Sequence, residues 1–275
     1  IGTAGLGVVN KGDCAVLGGT FWQQIVNVDQ TLTDPSMNLR INPHVVDGLN
    51  QAEAISFFVG IVMRWFRDSF GAAEVAAANA GGGDAYSLLE AQSAHVPPGA
   101  YGIIPVFSDV MRYGKWYHAA PSLLNLSIDP EKSGKAAIFR ALQENAAIVA
   151  ARNLAAIFKL SGVTPKQIVF AAGAAKSAHW AQILSSATGL PVVTPGVKEA
   201  TALGCAAAAP IRAGLQRDFV SAAENWVRWD RHFEPEAAHK AIYDDAGERW
   251  ARAYALQRQL VDEGITTSMW KAPGL

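Results

Sequence analysis

The stretch with the most chemical content is residues 168–177, Ile-Val-Phe-Ala-Ala-Gly-Ala-Ala-Lys-Ser, followed by Trp180 and Gln182. An apolar strand empties into very small side chains, and a helix begins. Side chains this small let a ligand approach the backbone, and the exposed N–H groups of a first helical turn suit a polar or anionic partner. A P-loop needs a second Gly before its Lys; Ala175 stands there, so Lys176-Ser177 is not a Walker motif. On spacing alone, a plain tight strand-to-helix turn explains the run as well as a nucleotide site does. A second candidate is the polar and aromatic loop that holds Asp109, Arg112 and His118, beyond the apolar run 101–107. Loops at strand ends often face ligand, so this one reads either as a substrate rim or as plain surface. The six histidines show neither HxxxH nor HxH spacing, which argues against a metal site built by the chain itself.

These residues need elements to position them. The first fifty residues alternate short apolar runs, 14–17 and 25–28, with Gly18-Gly19 and Asp34-Pro35, and read as a small antiparallel sheet. From Gln51 the period changes: Ile55, Phe58, Val59, Val62, Trp65 and Phe66 recur at helical spacing, which predicts a buried helix. Gly60 inside that pattern costs about 1 kcal/mol relative to Ala, and serves either close packing or ligand approach. Asp84 after three glycines is a good N-cap for a second helix. Further on, the spacing predicts a strand over 101–107 and a long helix over 132–160, with Ile138, Leu142, Ala146, Val149, Asn153 and Ile157 on one face and Arg140, Glu144 and Arg152 elsewhere. Strands over 167–170 and 191–193 alternate with helices over 177–188 and 199–209, which argues a parallel βαβ layer. A last helix covers 235–261.

Composition bounds the rest. With 275 residues, 50% apolar and 17% charged, the chain folds; 23 Lys and Arg against 24 Asp and Glu leave a net charge of −1 with no like-charged block. Nucleic acid is therefore not an expected partner. The apolar runs 54–63 and 202–211 end at Arg64 and Arg212, short of the roughly 20 residues that cross a bilayer, so no membrane span is expected. Cys14 and Cys205 stand apart, which points to a reducing cytoplasm. The first residue is Ile1 and no leader pattern follows it, so the chain reads as a fragment.

The ordered block Ala172-Gly173-Ala174-Ala175-Lys176-Ser177, Trp180, Gln182, Gly189-Leu190-Pro191-Val192 and Glu199-Ala200-Thr201-Ala202-Leu203-Gly204 closely resembles the C-terminal lobe of the FGGY carbohydrate kinases. Leu17-Gly18-Gly19-Thr20 resembles the family's phosphate turn, Gly60 with Arg64-Trp65-Phe66-Arg67-Asp68 its Gly-x-x-x-x-Trp-Leu-Arg-Asp helix, and Arg140-Ala141 with Glu144 its Arg-Ala-x-x-Glu helix. The resemblance covers essentially the whole chain. It implies an α/β fold of the actin, hexokinase and ribonuclease-H-like kind, a mixed sheet flanked by helices. It also implies that residues 1–275 form the C-terminal nucleotide-binding lobe of a two-lobe kinase, working with an N-terminal lobe on ATP and Mg²⁺. Under it, Gly19, Thr20, Gly60, Arg64, Gly173, Ala174 and Ser177 are nucleotide-binding residues, and Asp109, Arg112 and His118 a substrate rim. The family's general-base Asp falls upstream of Ile1.

The chain departs from the family at Ala172 and Ala174, where Gly is usual, at Asn125-Leu126 and Ala137, and at Ser108-Asp109-Val110. Residues 18–24, 43–45, 107–109, 116–122 and 270–275, taken in order, resemble those members that phosphorylate a small hydroxylated signalling molecule. Another sugar or polyol, or a non-catalytic nucleotide-binding module, are the alternatives.

Overall fold

The computed structural model describes residues 1–107, 117–197 and 199–270. Its elements in chain order are α1 (Gly2–Gly5), β1 (Cys14–Gly18), β2 (Trp22–Val28), β3 (Arg40–Pro43), β4 (Asn50–Ser56), α2 (Val59–Phe70), α3 (Ala72–Ala77), α4 (Ala85–Ser93), β5 (Ile104–Val106), β6 (Ser122–Leu124), α5 (Pro130–Ser133), α6 (Lys135–Ser161), β7 (Ile168–Ala171), α7 (Ala178–Thr188), β8 (Val192–Pro195), α8 (Ala200–Arg212), α9 (Phe219–Trp226), β9 (Trp229–Phe233) and α10 (Ala237–Asp262).

The main sheet has the order β3-β4-β2-β1-β7-β8-β9. β1 pairs antiparallel with β2 and parallel with β7, and β7 pairs parallel with β8. Three antiparallel strands therefore lie on one side of β1, and on the other a parallel pair, β7 and β8, closed by β9 antiparallel to β8, the mixed sheet expected from the resemblance. β7 is buried on both faces and reads as an unbroken apolar run, as central parallel strands do. Alternation along the strands splits the core in two. Cys14, Val16, Ile168, Phe170 and Val192 face α6 and α7, while Ala15, Val169, Ala171 and Val193 face the other way with Leu6 and Ala200. On that second face α1 crosses α8 so closely that a Cβ at Gly5 would lie 2.0 Å from the Ala200 carbonyl oxygen and one at Gly204 would lie 2.2 Å from that of Ile1. α10 covers α6 and α7 from outside, and its Trp250 indole donates to the Pro105 carbonyl at 3.0 Å, tying in the small β5–β6 ribbon.

Local chemistry sets the ends. Asp84 caps α4 by accepting from the Ser87 N–H at 3.1 Å, as predicted. α6 stops at Gly162, whose left-handed φ of 68° lets its N–H reach the Phe158 carbonyl at 2.8 Å. Two expectations need correction. The helix predicted from Gln51 starts only at Val59; residues 50–56 form β4, paired with both β2 and β3. Burial on both faces of β4 removes the alternation that would have marked it. The long helix predicted from Lys132 is split at Gly134 (ψ 179°) into α5 and α6. α9 and β9 were not foreseen. β9 reads Trp-Asp-Arg-His-Phe because it closes an edge, where charge is tolerated and discourages further pairing.

Candidate functional site

β1 and β7 run parallel, with Leu17 beside Ala171, so the turns that follow them leave the sheet side by side at their carboxyl ends. β1 opens into Gly18-Gly19-Thr20 before reversing into β2. β7 opens into Ala172 and then the one-turn 3₁₀ segment Gly173–Lys176, capped onto α7 by Ser177. The two turns touch: a Cβ at Gly18 would lie 2.6 Å from the Ala174 Cβ and 2.9 Å from the Phe170 ring. The start of α2 closes the group from a third side. The Gly60 N–H donates to the Thr20 carbonyl at 3.0 Å, and a Cβ at Gly60 would lie 2.7 Å from the Gly19 oxygen.

The glycines here divide into two kinds. Gly18 and Gly60 are demanded by packing within the chain. Gly19 and Gly173 are not: their nearest neighbours to an added Cβ are the Phe21 oxygen at 3.6 Å and the Gly18 oxygen at 3.9 Å, and neither has a positive φ. Among the described residues nothing requires glycine at either position, and the two stand on adjoining turns, whose shared face we call the notch. Backbone left bare of side chains in this way is what a ligand approaching the main chain needs. Beside it Ala172 has φ 70° and ψ −162°, a conformation close to glycine-only that costs about 1–3 kcal/mol.

The sequence-predicted site residues do not all meet at the notch. Gly19 and Thr20 lie on one of the two adjoining turns and Gly173 and Ala174 on the other, and Thr20 is exposed. Gly60 lies behind the notch, as the packing partner of the Gly19-Thr20 turn. Arg64 is exposed one turn further along α2. The Ser177 hydroxyl is committed to structure, accepting from the Trp180 N–H at 2.8 Å and donating to Glu90. Trp180 packs 4.9 Å from Trp22 beneath the notch and donates to the Gln143 carbonyl at 2.9 Å. Of the substrate-rim residues, Asp109 and Arg112 lie outside the described residues. His118 is only 4% exposed, packed 4.7 Å from the Phe57 ring, and burial followed by the nearby Arg258 guanidinium pushes it down to about 4. It is a buried neutral imidazole and not an exposed rim residue.

The Arg-Ala-x-x-Glu segment is structural as well. Arg140 Nε donates to Glu144 at 2.7 Å, and another of its nitrogens donates to Tyr243 Oη at 3.1 Å. A third donates to His179, whose Nε2 accepts. Glu144 also takes the Gly99 N–H at 3.1 Å and the Tyr243 hydroxyl at 3.2 Å. Burial and then the Arg140 charge push His179 down to about 4. The network pins α6 to α7, α10 and the Gly99 loop. Among the described residues no group of three His, Cys, Asp or Glu side chains is placed to hold a metal ion, and no helix is long and apolar enough to cross a membrane.

The C-terminal domain of the FGGY family of carbohydrate kinases matches residues 26–213. The chain belongs to the FGGY family of carbohydrate kinases. Relatives include the autoinducer-2 kinases of Enterobacter sp. (strain 638) and Klebsiella pneumoniae, each 58% identical over 275 residues, all of this chain and 52% of theirs. The chain thus spans about half the length of the curated relatives it matches. Among solved structures, the xylulose kinase of Rhodospirillum rubrum superposes with TM-score 0.76 at 21% identity over 95% of this chain and 50% of that one. Plasmodium falciparum glycerol kinase with ADP gives TM-score 0.76 at 16% identity, over 92% and 49%. At these identities the structures speak for the fold alone, and the FGGY fold of the actin and hexokinase kind is the one observed.

One feature beside these turns has no signal in the sequence. Arg231 on β9 bonds the 173–176 turn from an edge strand that no apolar period marks. Phe21, in the 18–24 run that carries the resemblance, stands 41% exposed beside Thr20, 5.1 Å from the Phe57 ring. Trp22, next to it, is fully buried.

Proposed function

We propose that this chain is the nucleotide-binding lobe of an ATP-dependent kinase that phosphorylates autoinducer-2, working in the cytoplasm. The observation that carries the nucleotide half is the notch, where Gly19 and Gly173 leave two adjoining turns bare of side chains. The substrate half rests on 58% identity to autoinducer-2 kinases across the whole of this chain. ATP would sit with its adenosine against Gly173 and Ala174 and its phosphates toward Gly19 and Thr20. There the Thr20 hydroxyl and the amino end of α2 favour negative charge. Mg²⁺ would arrive with the nucleotide and neutralise charge on the transferring phosphoryl group, a reaction that otherwise asks mainly for in-line positioning.

Within this division of labour the chain grips and orients ATP. The general-base Asp and most of the substrate pocket belong to the remaining half of the kinase. Exposed Phe21, beside the phosphate turn, would narrow the mouth and favour a short five-carbon substrate. The test is a comparison of kcat/KM for autoinducer-2, xylulose, gluconate and glycerol with the complete two-lobe enzyme. The proposal requires autoinducer-2 to be preferred, and a polypeptide limited to residues 1–275 to turn over none of them. Equal or better kcat/KM with any of the other three moves the reading to a general sugar or polyol kinase. Turnover by residues 1–275 alone contradicts the division of labour.

A further inference from the structure

We propose that Arg231 is a positioning residue for the nucleotide turn, an inference whose functional half rests on the nucleotide-site reading above. The turn at 172–177 carries a conformational burden: Ala172 holds φ 70° and ψ −162°, and Ser177 leaves helical geometry at φ −79° and ψ 114°. The carbonyls of Ala175 and Lys176 sit just before that exit, where no continuous helix follows to use them. Arg231 supplies donors to both. One of its terminal nitrogens bonds the Lys176 oxygen at 3.2 Å, and the other bonds the Ala175 oxygen. β9 sets the reach, since Arg231 is in register with Thr194 at the carboxyl end of β8. The guanidinium is steered by Asp230 at 3.5 Å and by the Phe233 ring, whose centroid is 5.8 Å away.

A planar fork on two successive carbonyls fixes orientation in a way that a single ammonium cannot. Positive charge at the carbonyl end of a turn also polarises its peptide units, which strengthens the N–H groups at the other end, at Gly173 and Ala174. Arg231 thus offsets the strain at Ala172 and holds the notch in its binding shape without touching the ligand.

The test compares the wild-type 275-residue chain with Arg231→Met, Arg231→Lys and Arg231→Met combined with Ala172→Gly. Amide hydrogen exchange is followed at residues 173–177, and ADP affinity is measured by calorimetry. Arg231→Met is expected to speed exchange at 173–177 by about tenfold, with protection in β7 and α7 unchanged, and to weaken ADP binding by about tenfold. The Lys variant falls between, and Ala172→Gly restores part of the affinity because the relaxed turn needs less holding. Unchanged exchange in the Met variant overturns the brace. Faster exchange with unaltered ADP affinity overturns its role in positioning. A lower melting temperature with neither local effect marks Arg231 as an ordinary edge-strand contact and also overturns the proposal. If the wild-type chain binds no ADP, the affinity half falls with the nucleotide reading, and the exchange comparison decides the brace alone.

Discussion

Gly173→Val separates binding from folding at a single position. Gly173 begins the 3₁₀ turn without a positive φ, and a Cβ added there comes no nearer to the lobe than 3.9 Å, at the Gly18 oxygen. The folded chain therefore accepts the side chain at about the cost of a surface substitution, within roughly 0.5 kcal/mol, or a change of about 2 °C in Tm. Its two methyl groups project into the notch assigned to adenosine. Forcing extra carbons into a close contact costs about 1–3 kcal/mol, so ADP affinity should fall by roughly 5- to 150-fold. Gly18→Ala is the control of opposite kind. Its Cβ would stand 2.6 Å from that of Ala174, so it should lower Tm first and affect binding only through the distorted turn. Calorimetric titration with ADP, alongside thermal melts of the three proteins, reads both quantities. Equal ADP affinity for wild type and Gly173→Val would refute the assignment of the notch. A Gly173→Val protein that melts many degrees lower would refute the claim that the described residues have no use for glycine there.

Ala172→Gly should raise stability by about 1 kcal/mol, because the 1–3 kcal/mol of positive-φ strain outweighs the added backbone entropy of glycine; an unchanged or lower Tm would count against strain at that residue. Arg140→Met leaves Glu144 buried without its cation and should cost about 3–5 kcal/mol in urea unfolding, whereas a loss below about 1 kcal/mol would show that the network is not holding the helices together. Gly60→Ala should both destabilise the chain and weaken ADP binding, since its Cβ meets the Gly19 oxygen at 2.7 Å, and a variant with normal Tm and normal binding would contradict the contact. His118 and His179 are both held down to about 4 in the fold, against an ordinary value near 6.5. The unfolded chain takes up these protons as pH falls below about 6.5 and the folded chain does not until about pH 4, so their contribution is complete above 6.5 and is lost between 6.5 and 4. For His118, 4% exposed, the full loss is about 3 kcal/mol; the unfolding free energy of His118→Gln should therefore fall less steeply than that of wild type over this window, and parallel profiles would contradict a buried neutral imidazole.

Much of the fold was legible because its signals are short-range. The Asp84 cap, the Ser177 start of α7, the apolar strand β7 and the periodicity of α10 each lie within a few residues of chain. β4 was read as helix because both its faces are buried and Ile55 happens to fit the phase of Phe58, Val59 and Val62. Arg140 and Glu144 were placed away from the apolar face because sequence periodicity counts a charge as solvated; here each is the other's buried partner. The notch itself could not be read from spacing, since it depends on β1 and β7 becoming neighbours across most of the chain. Only the family resemblance linked Gly19-Thr20 to Gly173. That resemblance also named Gly60 and Ser177; their contacts here are to the protein, one packed under a turn and the other capping a helix. Arg231 was invisible because an edge strand of charged residues carries no apolar period.

A crystal structure of the chain grown with ADP addresses the central claim most directly. The account predicts the adenosine against Gly173 and Ala174, the phosphates beside Gly19 and Thr20, and the 172–177 turn unchanged with Arg231 still on its carbonyls. ADP seated elsewhere, for instance in the groove between α6 and α10 that Arg152 and Arg258 line, with the notch left empty, would contradict it.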